Sequence, residues 1–166
     1  MRVLVAGMGN QLRGDDGFGV ALARLLGERD HDPGKDGAEV TVREFGIAGI
    51  HLVQELLSGY DALLVIDAVQ RGSQPGTVHL LEPEVRDLAG LSDSERRDFL
   101  ADVHWADPGR ALILARALGV LPARVLILGC QPEALEELSL VLSPAVESAL
   151  PEAMRAIDAA LARLTA

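Results

Sequence analysis

The sequence predicts an α/β fold whose strands are mostly parallel and buried on both faces, and three observations predict it. Apolar, partly β-branched runs occupy residues 3–6 and 62–66, the composition of strands covered on both sides. Turn-rich segments alternate with apolar runs in the order of successive α/β units, with no repeat or low-complexity linker between them. The stretch GMGNQLRGDDGFG, residues 7–19, follows the first run and leads into Phe18, Leu22, Leu25 and Leu26 at helical spacing, so a strand passes through a glycine loop into a helix.

The remaining elements follow in chain order. Residues 28–37, ERDHDPGKDG, read as a loop, and residues 39–44 as a second strand. The segment FGIAG, residues 45–49, leads into a helix through His51, Leu52, Leu56 and Leu57. The third strand, residues 62–66, ends at Asp67. After the turn RGSQPG, a fourth strand at residues 77–81 arrives too soon for a helical crossover and is therefore antiparallel to the third. Residues 82–103 are charged and irregular, with a helical turn or two. A helix lies near residues 110–118, a fifth strand at 125–128, and the tail is helical from Pro144; Pro151 is expected to break or kink it near Leu150.

Composition narrows the class. The 166 residues suit one domain, 1–166, with a substantial core, and 49% hydrophobic against 3% aromatic content makes that core one of Val, Leu, Ile and Ala. A net charge of −10 opposes binding to nucleic acid or anionic membrane. The one cysteine, Cys130, excludes an intrachain disulfide and a cysteine-based zinc cluster, and reads as a buried strand-end residue. Apolar stretches are interrupted by Arg116, Pro122 and Arg124, and Asn10 and Arg13 arrive before a signal-peptide core forms, so a cytoplasmic protein is expected.

The chemistry gathers at strand ends. The glycine loop resembles a dinucleotide fingerprint, but Gly7, Gly9 and Gly14 lack its spacing, and Asp15 and Asp16 put negative charge where a phosphate would sit. Stabilising the first helical turn needs one carboxylate, not two. Asn10 by itself reads as a turn residue. Asp67 ends a buried strand in VIDA. If the second strand pairs outside the first, strands one and three are neighbours with diverging connections, and both acidic ends open into the crevice between them. Two carboxylates brought together call for a metal, a proton or a cationic group. Among the histidines, His31 lies in a polar loop, His79 in the short fourth strand, and His51 at a helix start, as cap or ligand. His104, in DVHWADPG, is the best third ligand, with Trp105 as shield and Asp107–Pro108 as an N-cap and N1 pair.

Taken in order, VLVAGMGNQLRGDDGFG, FGIAG, VIDA, the His104 segment, GCQPE and LSPAVESALPEAM resemble the hydrogenase maturation protease family, whose members remove a C-terminal extension from the large subunit of nickel–iron hydrogenases. The resemblance implies a three-layer α/β/α sandwich around a mixed five-stranded sheet of order 2-1-3-5-4 with strand four antiparallel. It also implies that Asp16, Asp67 and His104 form a metal-binding, catalytic cluster that recognises nickel already inserted in the substrate, not a permanently held cofactor. Asp16 stands where relatives often carry glutamate; one methylene shorter, it brings the metal closer or shares the task with Asp15. Asp15, Gly46 and Gly49 are the implied substrate contacts, although Gly49 also suits a helix start. Glu133 reads as a surface or cap residue.

The expected function is therefore an endopeptidase that acts as a monomer on the precursor of a nickel–iron hydrogenase large subunit. No G-x-S-x-G, H-E-x-x-H or reactive-cysteine signature offers an ordinary protease mechanism. Two alternatives stand beside it: a self-sufficient metallohydrolase acting on ordinary peptides, and a nickel-sensing assembly factor without cleavage.

Overall fold

The computed structural model describes residues 1–29, 37–101, 107–135 and 138–166. Five strands, β1 (Arg2–Met8), β2 (Glu39–Gly46), β3 (Ala62–Ala68), β4 (Val78–Leu81) and β5 (Arg124–Cys130), form one sheet in the order β2-β1-β3-β5-β4. All pairs are parallel except β4 with β5. The expected order and the antiparallel fourth strand are both present. β4 starts one residue later than expected, at Val78, whereas β1, β2, β3 and β5 contain their expected ranges and each extend two residues further toward the C-terminal edge, where the glycine loop, Asp67 and Cys130 lie.

Alternation along the buried strands divides the core into two layers. Val3 and Val5 of β1, Leu64 and Ile66 of β3 and Leu128 of β5 face α1 (Phe18–Glu28) and α5 (Pro144–Thr165). Leu4, Ala6 and Met8 with Leu63 and Val65 face α2 (Gly49–Leu56) and α4 (Pro108–Ala117). Helices thus cover both faces, as burial of the central strands demands. The apolar stripe of α1 is Phe18, Leu22 and Leu26, whereas Leu25 turns to solvent. Among the described residues, no helix is long and apolar enough to cross a membrane.

Two expectations need correction. The break at Pro151 is absent, because α5 runs through it from Pro144 to Thr165. Val146, Ala149, Ala153, Ile157, Ala160 and Leu164 bury one stripe on both sides of the proline, while Pro151 itself is exposed, so the carbonyl it leaves unpaired faces the water side of the helix. Ser143 caps this helix, its hydroxyl accepting from the Val146 amide, with Pro144 at the first helical position. Between residues 82 and 101 the chain is also more regular than predicted, holding helix α3 (Asp93–Ala101) after a short turn at Leu88–Gly90. The overlooked signal is a capping box: the Ser92 amide donates to Glu95 Oε2 at 2.8 Å and the Glu95 amide to Ser92 Oγ at 3.4 Å.

One contact fixes where α1 sits. Gly7 in β1 and Gly19 in α1 face each other so closely that a Cβ on Gly19 would lie 2.1 Å from the Ile66 carbonyl oxygen and 2.4 Å from that of Met8. A Cβ on Gly7 would lie 2.5 Å from the Gly19 carbonyl oxygen. Gly7 therefore serves close packing, and the turn after β1 belongs to Gly9. Replacing Gly19 by Ala forces backbone against backbone, and the expected loss is about 3 kcal/mol, at the upper end for overpacking, read from urea unfolding; an unchanged midpoint would show that α1 moves away freely.

Candidate functional site

The loop after β1 and the end of β3 meet at the C-terminal edge of the sheet, where the connections of the neighbouring strands diverge. Gly9, at φ +111°, lies between the two acidic positions. A Cβ there would fall 1.8 Å from the Asp16 carbonyl oxygen and 3.3 Å from Asp67 Oδ1. Only glycine lets the loop fold so tightly over Asp67. The Gly9 amide donates to the Gly46 carbonyl at 3.0 Å, which brings the FGIAG segment against the same loop. Asp16, in a short turn over Gly14–Gly17, accepts from the Asn10 amide at 3.0 Å through Oδ2, while Asn10 Oδ1 accepts from the Leu12 amide at 3.0 Å. The Asn10 side chain thus makes the bond of a turn residue, as expected, and only its backbone amide reaches Asp16.

Asp67 carries the electrostatic tension of the site. It is 7% exposed on the α2–α4 face, and burial, followed by the negative charge of Asp16, pushes its carboxyl up to about 8. The Ala68 backbone hydrogen bond pulls the other way, and the charge of Asp107 adds a further push upward. Asp107 is the N-cap of α4, accepting from the Gly109 amide at 2.8 Å, with Pro108 next, as the sequence predicts. Its influence on Asp67 is not visible in the sequence, since the two positions meet only through the fold.

Asp15 has a different environment from its neighbour. At 2% exposure, its Oδ2 accepts from the Glu133 amide at 2.8 Å and the Ser143 hydroxyl at 2.9 Å, and its Oδ1 from the Ser143 amide at 2.7 Å. One carboxylate thereby ties the β1 loop, the segment after β5 and the cap of α5 together, an internal occupation for the residue grouped by sequence with substrate contacts. Glu133, itself exposed, supplies only its backbone to this tie.

The other candidates are placed as follows. Gly46 ends β2 against Gly9, and Gly49 is buried as the first residue of α2. His51 is exposed on α2. His79 shares a sheet face and register with Asp67 through Gly129, but Val69 fills the space over that glycine, and His79 Nε2 lies 2.8 Å from Ser73 Oγ. Cys130 is free and buried at the end of β5; burial pushes its thiol up to about 11, which removes it from nucleophilic chemistry at neutral pH. His31, His104 and Trp105 lie outside the described residues. Among the described residues, no group of three or more His, Cys, Asp or Glu side chains is placed to hold a metal ion. Asp16 and Asp67 are the pair that the fold brings together.

A family model described as hydrogenase maturation protease matches residues 20–160. The hydrogenase expression/formation protein HoxM of Azotobacter vinelandii is 37% identical over 154 residues, spanning 92% of this chain and 69% of that protein. The hydrogenase 2 maturation protease of Escherichia coli K12 is 32% identical over 163 residues, 97% of this chain and 91% of that one. Among solved structures, the E. coli hydrogenase maturating endopeptidase HybD aligns with a TM-score of 0.73 at 28% identity, over 98% of this chain and 93% of that chain. A hydrogenase 2 maturation peptidase from a Thaumarchaeota archaeon aligns at 0.68 and 34% identity, over 98% and 99%.

Two outcomes follow from these environments. The folded state keeps a proton on Asp67 that the unfolded chain has released, so the Asp67 contribution to stability is full below about pH 4 and is lost as pH rises through about 8. Urea unfolding should accordingly favour Asp67→Asn over the parent protein increasingly between those limits; a constant difference would contradict the burial. Asp15→Ala leaves two part-buried amides and a hydroxyl without their acceptor, and its unfolding free energy should fall by roughly 3 kcal/mol, read from the same denaturation series.

Proposed function

The chain belongs to the hydrogenase maturation protease family and is an endopeptidase, and we propose that its substrate is the nickel-loaded precursor of a nickel–iron hydrogenase large subunit, from which it removes the C-terminal extension. The observation that carries the reading is the meeting of Asp16 and Asp67 across Gly9 at the open edge of the sheet. Two carboxylates so close repel each other, and a cation offsets the repulsion. Nickel accepts oxygen and nitrogen donors, so Asp16, Asp67 and His104 suit a metal that arrives with the substrate and still has open positions. Asp16 is held by the Asn10 amide through Oδ2, a bond that orients the carboxylate while leaving Oδ1 for the cation.

In this reading the protein works as a monomer in the cytoplasm. The precursor docks by its nickel centre, which sets the scissile peptide beside the two aspartates, and the FGIAG segment with Gly46 and Gly49 lies along the substrate. Asp15 serves the substrate through the loops it ties together. Water, activated by the substrate's metal or by a carboxylate acting as general base, adds to the scissile carbonyl carbon. The carbon–nitrogen bond then breaks, the precursor keeps the new carboxyl terminus, and the extension leaves with the proton on its amine.

Intact mass spectrometry of a cognate precursor, with and without nickel, tests this directly. The expected outcome is loss of one discrete C-terminal peptide from the nickel-loaded form alone. Asp67→Asn is expected to abolish that loss while remaining folded. Binding of loaded precursor without any change of mass would overturn cleavage in favour of an assembly factor, and cutting of ordinary peptides by a protein loaded with its own metal would overturn the metal-gated reading.

A further inference from the structure

Leu138, Leu140 and Val141 are 89, 80 and 73% exposed, the three most exposed large apolar side chains among the described residues. Leu12, 58% exposed, stands beside them: Arg13 and Ser139 form a parallel bridge, so Leu12 and Leu138 each precede a bridged residue. This exposure is not a consequence of loose chain. The Ser139 amide donates to the Leu12 carbonyl at 3.1 Å, and the Gly14 amide to the Ser139 carbonyl at 2.8 Å. Ser139 Oγ donates to the Val141 carbonyl at 2.9 Å and accepts from the Val141 amide at 3.2 Å. Two residues on, Ser143 is bound to Asp15. Four apolar side chains are thereby presented to solvent on a backbone already fixed by folding, which lowers the entropy lost on association.

We propose that this ridge of Leu12, Leu138, Leu140 and Val141 is the surface on which the folded body of the precursor docks. The inference rests on the reading that the substrate is a hydrogenase precursor. Its occupant follows from continuity with the site: Leu12 belongs to the same loop as Asn10 and Asp16, and the 138–141 segment is bonded to that loop on both sides of Arg13. A stable protein contact covers about 800 Å² per partner. A protein whose peptide bond reaches Asp16 therefore also covers residues four positions away in the loop and the segment bridged to them. Contiguous apolar surface of this kind marks a contact between proteins, and the ridge supplies affinity for the body of the substrate while the aspartates address its metal centre.

The test compares the parent protein with Leu138→Ser/Leu140→Ser on nickel-loaded precursor, under steady-state conditions with intact mass as readout. Both side chains are solvent-facing, so the melting temperature should not change. The expected result is KM raised by about tenfold or more with kcat within about twofold, the pattern of lost uniform binding. A variant with unchanged KM, acting on a precursor that the parent protein cuts, overturns the docking surface and leaves the proposed activity standing. A parent protein that fails to cut verified precursor overturns the activity, and this inference with it. Sedimentation of both proteins supplies the remaining arm: a parent dimer that the substitutions separate, with KM unchanged, assigns the ridge to a second copy of the chain and overturns the inference.

Discussion

The approach of α1 to the sheet at Gly7 and Gly19 is the constraint on which the site depends. With no side chain at either position, the helix backbone rests on the carbonyls of Met8 and Ile66, one on each of the two central strands. That contact leaves a short path from the end of β1 to the start of α1, and the chain covers it by turning sharply at Gly9. Asp16 consequently lies over Asp67, not out in solvent. A wider helix–sheet spacing, ordinary where larger residues intervene, would lengthen the loop and separate the two carboxylates.

Around this pair the fold holds its buried carboxylates unequally. Asp15 is satisfied by three donors and stabilises its surroundings, whereas Asp67 is buried beside like charge with a single backbone hydrogen bond favouring its ionised form. Buried carboxylates without compensation are costly, and that cost falls on Asp67 at the end of β3 and not on Asp15 in the loop. The protein tolerates tension at Asp67 because the strand beneath it is buried on both faces and paired on both sides.

Much of this architecture was legible in the sequence, for identifiable reasons. Buried parallel strands write themselves as continuous apolar runs, so residues 3–6 and 62–66 located β1 and β3, and the interval before residue 77 was too short for a crossover, which made β4 antiparallel. Pro151 misled because proline's local effect was weighed without the two flanking stretches of buried stripe that keep α5 continuous through it. The capping box at Ser92 and Glu95 was present as a spacing and passed over. At the candidate site, the approach of Asp16 to Asp67 was legible because strand ends converge in this topology, but the different surroundings of Asp15 and Asp16 were not. Adjacent identical residues differ only in which distant backbone amides reach them, and Glu133 and Ser143 lie 118 and 128 positions away from Asp15.

Those separations bear on the order in which the protein is made. The loop that presents Asp16 precedes Ser143 by more than a hundred residues, so the brace through Asp15 cannot close until the chain as far as Ser143 has emerged. Until then the acidic loop lacks the contact that joins it to the cap of α5. A chain halted before Ser143 would carry all three aspartates without the bonds that tie their loop to the start of α5.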